Sequence, residues 1–288
     1  MENLVKLKFR DMSERDLDEL PKEILPKLSQ LQYLNLPVRV NAPVEDLASL
    51  ELLEEFGGRF CDLHNFHKFM SIHHNYEKDW WYDIIVGQHY SHDYKKQRRV
   101  IIRNYTIEAA TSIFLPHGID VLDIMSCHGL SSFFVDNFLS RTTSSRGLTC
   151  EIEYCDEIEW IVNVPSGRDT TTDRHCISFH SLGVRELQNL VGLCWCSEME
   201  EIIGREEGEG SSQSSSSSSS STSTTAHLPK LRVLSLMFLP ELKSICEGKL
   251  MCDSLEDMTF LNCPKLKRMP FHTANEHLFP SLREITVD

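Results

Sequence analysis

The chain has 288 residues, 41% hydrophobic and 25% charged, which is the composition of a folded protein and excludes an extended disordered one. Its formal charge of −14 excludes a general phosphate-backbone binder, because such binding draws on clustered Lys and Arg to release counterions, so no nucleic acid partner is expected. No apolar run reaches membrane-spanning length, and MENLVKLKFRDMSERD at the start holds no basic segment followed by an apolar core and a cleavage site; the expectation is a cytoplasmic protein with no membrane span.

The first apolar residues, Leu4, Leu7, Phe9 and Met12, fall at steps of three, two and three. A helix buries residues at steps of three and four and a strand at steps of two, so this mixture belongs to neither alone. It predicts a short strand whose inward side chains form the two-step, followed by a turn. Leu31, Leu34 and Leu36 repeat it. Residues 37–99 are irregular. Within them VEDLASLELLEEF, Val44 to Phe56, reads as an amphipathic helix or a degenerate coil, since Leu47, Leu50 and Leu53 continue the three-step. His64, His67, His73 and His74 raise a metal hypothesis, but the surrounding FHKFMSIHHNYEKDWWYDIIV is dense in aromatic and aliphatic side chains. Half-buried histidines at a junction between coils are the expectation, and no metal is assigned.

The pattern resumes loosely at Val100, Ile102 and Tyr105, then fully at Ile119, Leu122, Ile124, Cys127, Leu130 and Phe133. Cys150, Ile152, Cys155, Ile158 and Ile161 lack only the first member, and Phe179, Leu182, Val184, Leu187, Leu190 and Leu193 are complete. Residues 205–226 are an acidic, Ser-rich insertion with nothing to pack, expected to be disordered within the repeat array. Leu231, Leu234, Leu236, Leu239, Leu242 and Ile245 follow, then Leu255, Met258, Phe260, Cys263, Leu266 and Met269, and finally Leu282, Ile285 and Val287.

A strand followed by a loose or 3₁₀ return brings the chain back beside its start, so that the next strand pairs with it in parallel. One such coil cannot bury its apolar side alone, and stacking coils builds a continuous core. The expected fold is an α/β leucine-rich-repeat solenoid forming a single domain over residues 1–288. It is a curved horseshoe with parallel β-strands on the concave face and loops, 3₁₀ turns and short helices on the convex face. Pro240 and Pro264, each one residue after a pattern position, argue against long helices instead. The ten cysteines include no C-x-x-C pair, and Cys127, Cys155 and Cys263 stand where other copies carry Leu, as small buried apolar residues would. Cys194-Trp195-Cys196 is a C-x-C pair without a second pair nearby, which gives no structural metal site.

The segments LPKEILPKLSQLQYLNLP (Leu20 to Pro37), CSEMEEIIG (Cys196 to Gly204), LPKLRVLSLMFLPELKSIC (Leu228 to Cys246), CDSLEDMTFLNCPKLKRMP (Cys252 to Pro270) and FPSLREITV (Phe279 to Val287) resemble the leucine-rich-repeat region of plant coiled-coil, nucleotide-binding (NBS-LRR type) disease-resistance proteins. The resemblance implies a protein-interaction module of an intracellular immune receptor, acting in defense by recognition, autoinhibition or both. Implied partners are a pathogen effector, a guarded host protein or the receptor's own nucleotide-binding module. Nothing matches G-x-x-x-x-G-K-[ST], so no cofactor is expected, and the chain reads as a truncated receptor, a fragment or a repeat-only relative. Two other classes stay open. One is a repeat-type substrate adaptor of a ubiquitin ligase, which would need an adaptor-binding segment not found before Leu4. The other is an enzyme, for which no nucleophile elbow, H-E-x-x-H or catalytic carboxylate pair is found.

The candidate binding residues are the outward positions of the predicted strands. They are Lys6, Lys8, Arg10, Arg99 and Arg103, then Asp123, Met125, Glu151, Glu153 and Arg185, and last Val233, Ser235, Met237, Asp257, Thr259 and Leu261. A basic start passes into an acidic middle and a more apolar end. Such a pattern suits either a protein-binding face or ordinary solvated strand residues.

Overall fold

The computed structural model describes residues 6–12, 17–21, 24–73, 80–88, 96–108, 115–116, 118–130, 147–164, 179–196, 225–246, 249–267 and 281–287. Leu4, His74, Phe133 and residues 205–224 of the insertion lie outside them. In chain order the strands are β1 (Phe9–Asp11), β2 (Tyr33–Asn35), β3 (Glu55–Phe60), β4 (Trp81–Gly87), β5 (Arg98–Arg103), β6 (Val121–Met125), β7 (Leu148–Glu153) and β8 (Trp160–Val164). They continue as β9 (Phe179–Arg185), β10 (Gly192–Cys196), β11 (Thr225–His227), β12 (Val233–Met237), β13 (Ser244–Cys246), β14 (Lys249–Met251), β15 (Asp257–Leu261) and β16 (Glu284–Val287). The helices are short: α1 (Val44–Leu47), α2 (Leu63–His73) and a 3₁₀ turn at Leu25–Lys27.

Eleven strands form one sheet in the order β1-β2-β3-β4-β5-β6-β7-β9-β12-β15-β16, with every neighbouring pair parallel. A parallel neighbour requires the chain to travel back before each new strand. Part of that return is itself a parallel ladder, β13-β10-β8, and β11 pairs with β14. Among the described residues, one large parallel sheet with few helices and no closure into a barrel is consistent with an α/β solenoid-like fold.

The two-step of the sequence is the core face of this sheet. Ile84, Val100, Leu122, Cys150, Leu182, Leu234 and Met258 align from strand to strand, and Val86, Ile102, Ile124, Ile152, Val184, Leu236 and Phe260 align two residues on. All fourteen are buried, in one hydrophobic cluster running from Met12 to Phe260. Ile161, Leu193 and Ile245 of the return ladder belong to the same cluster, so the core lies between the two sheets. Packing there is close enough that Gly192 sits under the Trp160 ring, with no room for a Cβ.

Each strand from β5 to β7, and β9, β12 and β15, is followed by a residue of left-handed conformation: Asn104, Ser126, Tyr154, Glu186, Phe238 and Asn262, with φ between 46° and 55°. The N–H of Asn104, Ser126, Tyr154, Glu186 and Phe238 donates to the last carbonyl of the next strand, at 3.0, 2.9, 3.2, 3.0 and 2.8 Å. These corners carry the ladder one bond past the strands. Only the two Asn residues are of a type that favours the conformation, so the corner is invisible in the sequence. Beside it, the Cys127 thiol donates to the carbonyl of Ile102 in the preceding strand at 3.5 Å, and Cys263 to that of Leu236 at 3.6 Å. The cysteines therefore add weak cross-strand hydrogen bonds to the small apolar role expected of them.

Two regular strands, β3 and β4, fall inside residues 37–99, where the sequence predicts irregular coils. Their core-face residues Phe56 and Tyr82 align with Leu34, and Phe60 aligns with Val86. Val44–Phe56 is not one amphipathic helix, since only Val44–Leu47 is helical and Glu55 already begins β3; Leu47, Leu50 and Leu53 are buried on the connection from β2 to β3. Asp62 accepts the backbone N–H of Asn65 at 2.7 Å and so satisfies a free amide in the first turn of α2. At its far end the His73 ring meets the Leu47 carbonyl at 3.1 Å and packs on Phe69 and Trp80, which holds it as a half-buried junction residue.

Tyr82 is almost fully buried and its hydroxyl has no hydrogen-bond partner. An unpaired buried hydroxyl costs about 1–3 kcal/mol. Tyr82→Phe is therefore expected to raise stability by about 1 kcal/mol in urea unfolding, whereas a loss of that size would mean that the hydroxyl is satisfied.

Candidate functional site: the second face of the main sheet

Strand side chains alternate, so the residues between the buried ones stand on the opposite face of the sheet. Register sorts them into rows. One row runs Asp83, Arg99, Val121, Thr149, Ser181, Val233 and Asp257; the next runs Ile85, Ile101, Asp123, Glu151, Gly183, Ser235 and Thr259. A third runs Gly87, Arg103, Met125, Glu153, Arg185, Met237 and Leu261. Of the sequence-derived candidates, Arg103, Asp123, Met125, Glu151, Glu153, Arg185, Val233, Ser235, Met237, Asp257, Thr259 and Leu261 are brought onto this one face, each half-buried.

The basic end of the candidate set does not hold together. Arg99 is in its row but buried, its Nε and second guanidinium nitrogen bonded to the two oxygens of Asp83 at 2.9 and 3.0 Å. Asp83 stands directly opposite it on β4, sixteen residues earlier, and turns Arg99 into a structural residue. Ile85 and Ile101 beside the pair are buried as well, so β4 and β5 are covered on both faces. In the first coil the phase is reversed: Arg10 aligns with the buried Leu34, and Phe9 stands outward, 59% exposed, stacked on the Tyr33 ring at 3.9 Å. That stacking outweighs the alternation expected from Leu7 and Phe9. Lys6 and Lys8 precede β1 and are exposed.

Sequence reasoning also missed Arg59, Tyr33 and Trp81. Arg59 donates to the carbonyls of Val38, Arg39 and Gly87 at 2.9, 3.2 and 3.0 Å, tying three stretches of chain together. Burial, with Asp11 and Glu55 nearby, pushes the Tyr33 phenol up to about 12. Lys96 and Arg98 lie over the Trp81 ring at 5.7 and 5.9 Å. Aromatic density marks the segment that carries Trp81, while Tyr33 is the sole aromatic residue of LSQLQYLNLP and carries no such signal.

The middle of the face is acidic. Glu151 has Asp123 beside it on β6 and Gly183 beside it on β9, and its carboxylate occupies the space that a side chain at Gly183 would need. Burial, then the charges of Asp123 and Glu153, raise its pKa above the ordinary carboxylate value. A raised folded-state value means that the proton is held more tightly in the folded chain. The resulting penalty is absent below the unfolded pKa of about 4.3 and grows as pH rises through the folded one. Glu151→Gln is accordingly expected to raise the melting temperature at pH 7, with the gain disappearing toward pH 4; a gain that persists unchanged in acid would contradict the assignment. Among the described residues no group of three or more His, Cys, Asp or Glu is placed to hold a metal ion, and no helix is long and apolar enough to cross a membrane.

The sheet with its row-ordered second face defines the class of structure: an open, solenoid-like array of parallel strands. A probable disease resistance protein of Arabidopsis thaliana is 42% identical over 48 residues, which is 17% of this chain and 5% of that protein. The likeness relates a segment of the chain to plant disease-resistance proteins. No family model matches the sequence, and no solved structure matches it.

Proposed function

We propose that the chain is a leucine-rich-repeat solenoid serving as the protein-interaction module of a cytoplasmic plant immune receptor, and that the second face of the main sheet is its binding surface. It works by recognition of an effector or host protein, by holding a nucleotide-binding module inactive, or by both, with no catalysis and no cofactor of its own. One observation carries the reading: eleven parallel strands succeed one another in chain order, and seven of them, from β4 to β15, bury an aligned apolar pair on one face and present varied side chains on the other. A constant core beneath a varied surface suits binding of a partner much larger than a small molecule. The partial likeness to a disease resistance protein supports the biological setting.

The test is affinity capture from healthy and infected leaf tissue with the native chain and with Ser235→Arg/Thr259→Arg, which places two bulky cations in the centre of the face. Proteins retained by the native chain and lost by the variant are expected. Identical retention by both would remove the face from the interface.

A further inference from the structure

The third row of the face reads Glu153, Arg185, Met237, Leu261 across β7, β9, β12 and β15, with Glu151 standing two residues before Glu153. The full row holds two cations, Arg103 two strands before Glu153 and Arg185 beside it, and Arg185 is turned aside. Arg185 donates from Nε to Glu186 at 3.2 Å, and its guanidinium lies over the Phe238 ring at 5.5 Å. Glu186 and Phe238 are both left-handed corner residues, and the corner before them adds a hydrogen bond from the Tyr154 hydroxyl to Glu186 at 3.0 Å. From Glu153 onward the row therefore leads from a carboxylate to Met237 and Leu261, with the corner residue Phe238 next to Met237, all three half-buried. Adjacent strands lie about 4.8 Å apart, which puts Met237 about 10 Å and Leu261 about 14 Å from Glu153. An extended chain advances about 3.4 Å per residue and covers those distances in three or four residues.

We propose that this part of the face docks an extended protein segment bearing a Lys or Arg against Glu151 and Glu153 and, three or four residues along, an aliphatic or aromatic side chain against Met237, Phe238 and Leu261. The inference rests on the protein-binding reading above and specifies the partner's chemistry. Charge complementarity selects the occupant: Asp123, Glu151 and Glu153 gather negative charge at one end, and burial of Glu151 among like charges leaves an unfavourable field that an incoming cation relieves. Met, Phe and Leu at the other end supply apolar contact of the kind that anchors interfaces.

Short fluorescent Gly/Ser peptides with Lys and Leu separated by three or four residues provide the probe, and anisotropy the readout. They should bind the native chain more tightly than peptides with Glu in place of Lys, or with Lys and Leu adjacent. Glu151→Gln/Glu153→Gln and Met237→Ser should each weaken binding about tenfold, the former also losing the salt dependence. Equal binding of Lys and Glu peptides, or an unchanged affinity for the double Gln variant, overturns the inference. The native-chain comparison needs no variant and is unaffected by any folding defect. Should Ser235→Arg/Thr259→Arg abolish partner capture while the double Gln variant does not, the binding face stands and this assignment of its chemistry falls.

Discussion

Asp83→Ala is expected to destabilise the chain by about 3–5 kcal/mol, because it removes the carboxylate that accepts two hydrogen bonds from the buried Arg99 guanidinium. The side chains are 0% and 8% exposed, so water cannot take over the lost contacts as it would at a surface pair. The bidentate geometry ties β4 to β5, and Ile85 and Ile101 beside it close the same stretch. Replacing both partners, as in Asp83→Leu/Arg99→Met, removes the buried cation together with its carboxylate and should cost far less than the single change. Urea unfolding followed by circular dichroism distinguishes the two cases. A single variant as stable as the native chain would mean that the pair is solvated, and Arg99 would return to the set of available binding residues.

Leu236→Ala should cost about 2–5 kcal/mol. Leu236 is fully buried and lies in register between Val184 and Phe260, so truncation opens a cavity shared by three strands. Collapse around it is opposed by both hydrogen-bonded neighbours, which places the expected loss toward the upper part of that range. The same substitution one residue away, Ser235→Ala on the second face, removes no core contact and should change stability by less than about 0.5 kcal/mol. Equal losses at the two positions would contradict the division of the strand into a core face and a second face.

The core was legible because its aliphatic pairs recur at one spacing in every well-formed coil, and register bears this out from Leu122 to Met258. Where the structure departs from that reading, specific residues hid the pattern. In β3 Gly58 occupies a core-face position, and the Phe56 ring fills the space, its tip 2.7 Å from where a Gly58 Cβ would stand. No aliphatic two-step survives there to be read. In β4 the run Asp83-Ile84-Ile85-Val86 is buried on both faces, and a strand of that kind shows a continuous apolar stretch in place of alternation. The first coil misled because Leu7 and Phe9 are both apolar, although only Leu7 packs against the core while Phe9 stacks outward.

The candidate face was legible to the same extent as the strands. From Asp123 onward register puts the outward positions in rows on the face opposite the core, because each is next to a readable core residue. Arg99 was misjudged because nothing local announces that Asp83 will stand opposite it. That partnership depends on the length of the connecting segment, and the pattern has lapsed there. The left-handed corners at Tyr154, Glu186 and Phe238 were equally hidden, and they decide where Arg185 points.

The central claim, that successive strands lie side by side in parallel with one common outer face, is tested most directly by disulfide mapping. Ser235→Cys/Thr259→Cys places two thiols on directly aligned neighbours, at a strand spacing of about 4.8 Å that falls within the Cα separation a disulfide accepts. Mild oxidation followed by peptide mass spectrometry should recover that cross-link in high yield. Ser235→Cys/Asp123→Cys, in the same row but three strands apart, should give none. A cross-link in the second pair, or its absence from the first, would contradict the strand order on which the binding face depends.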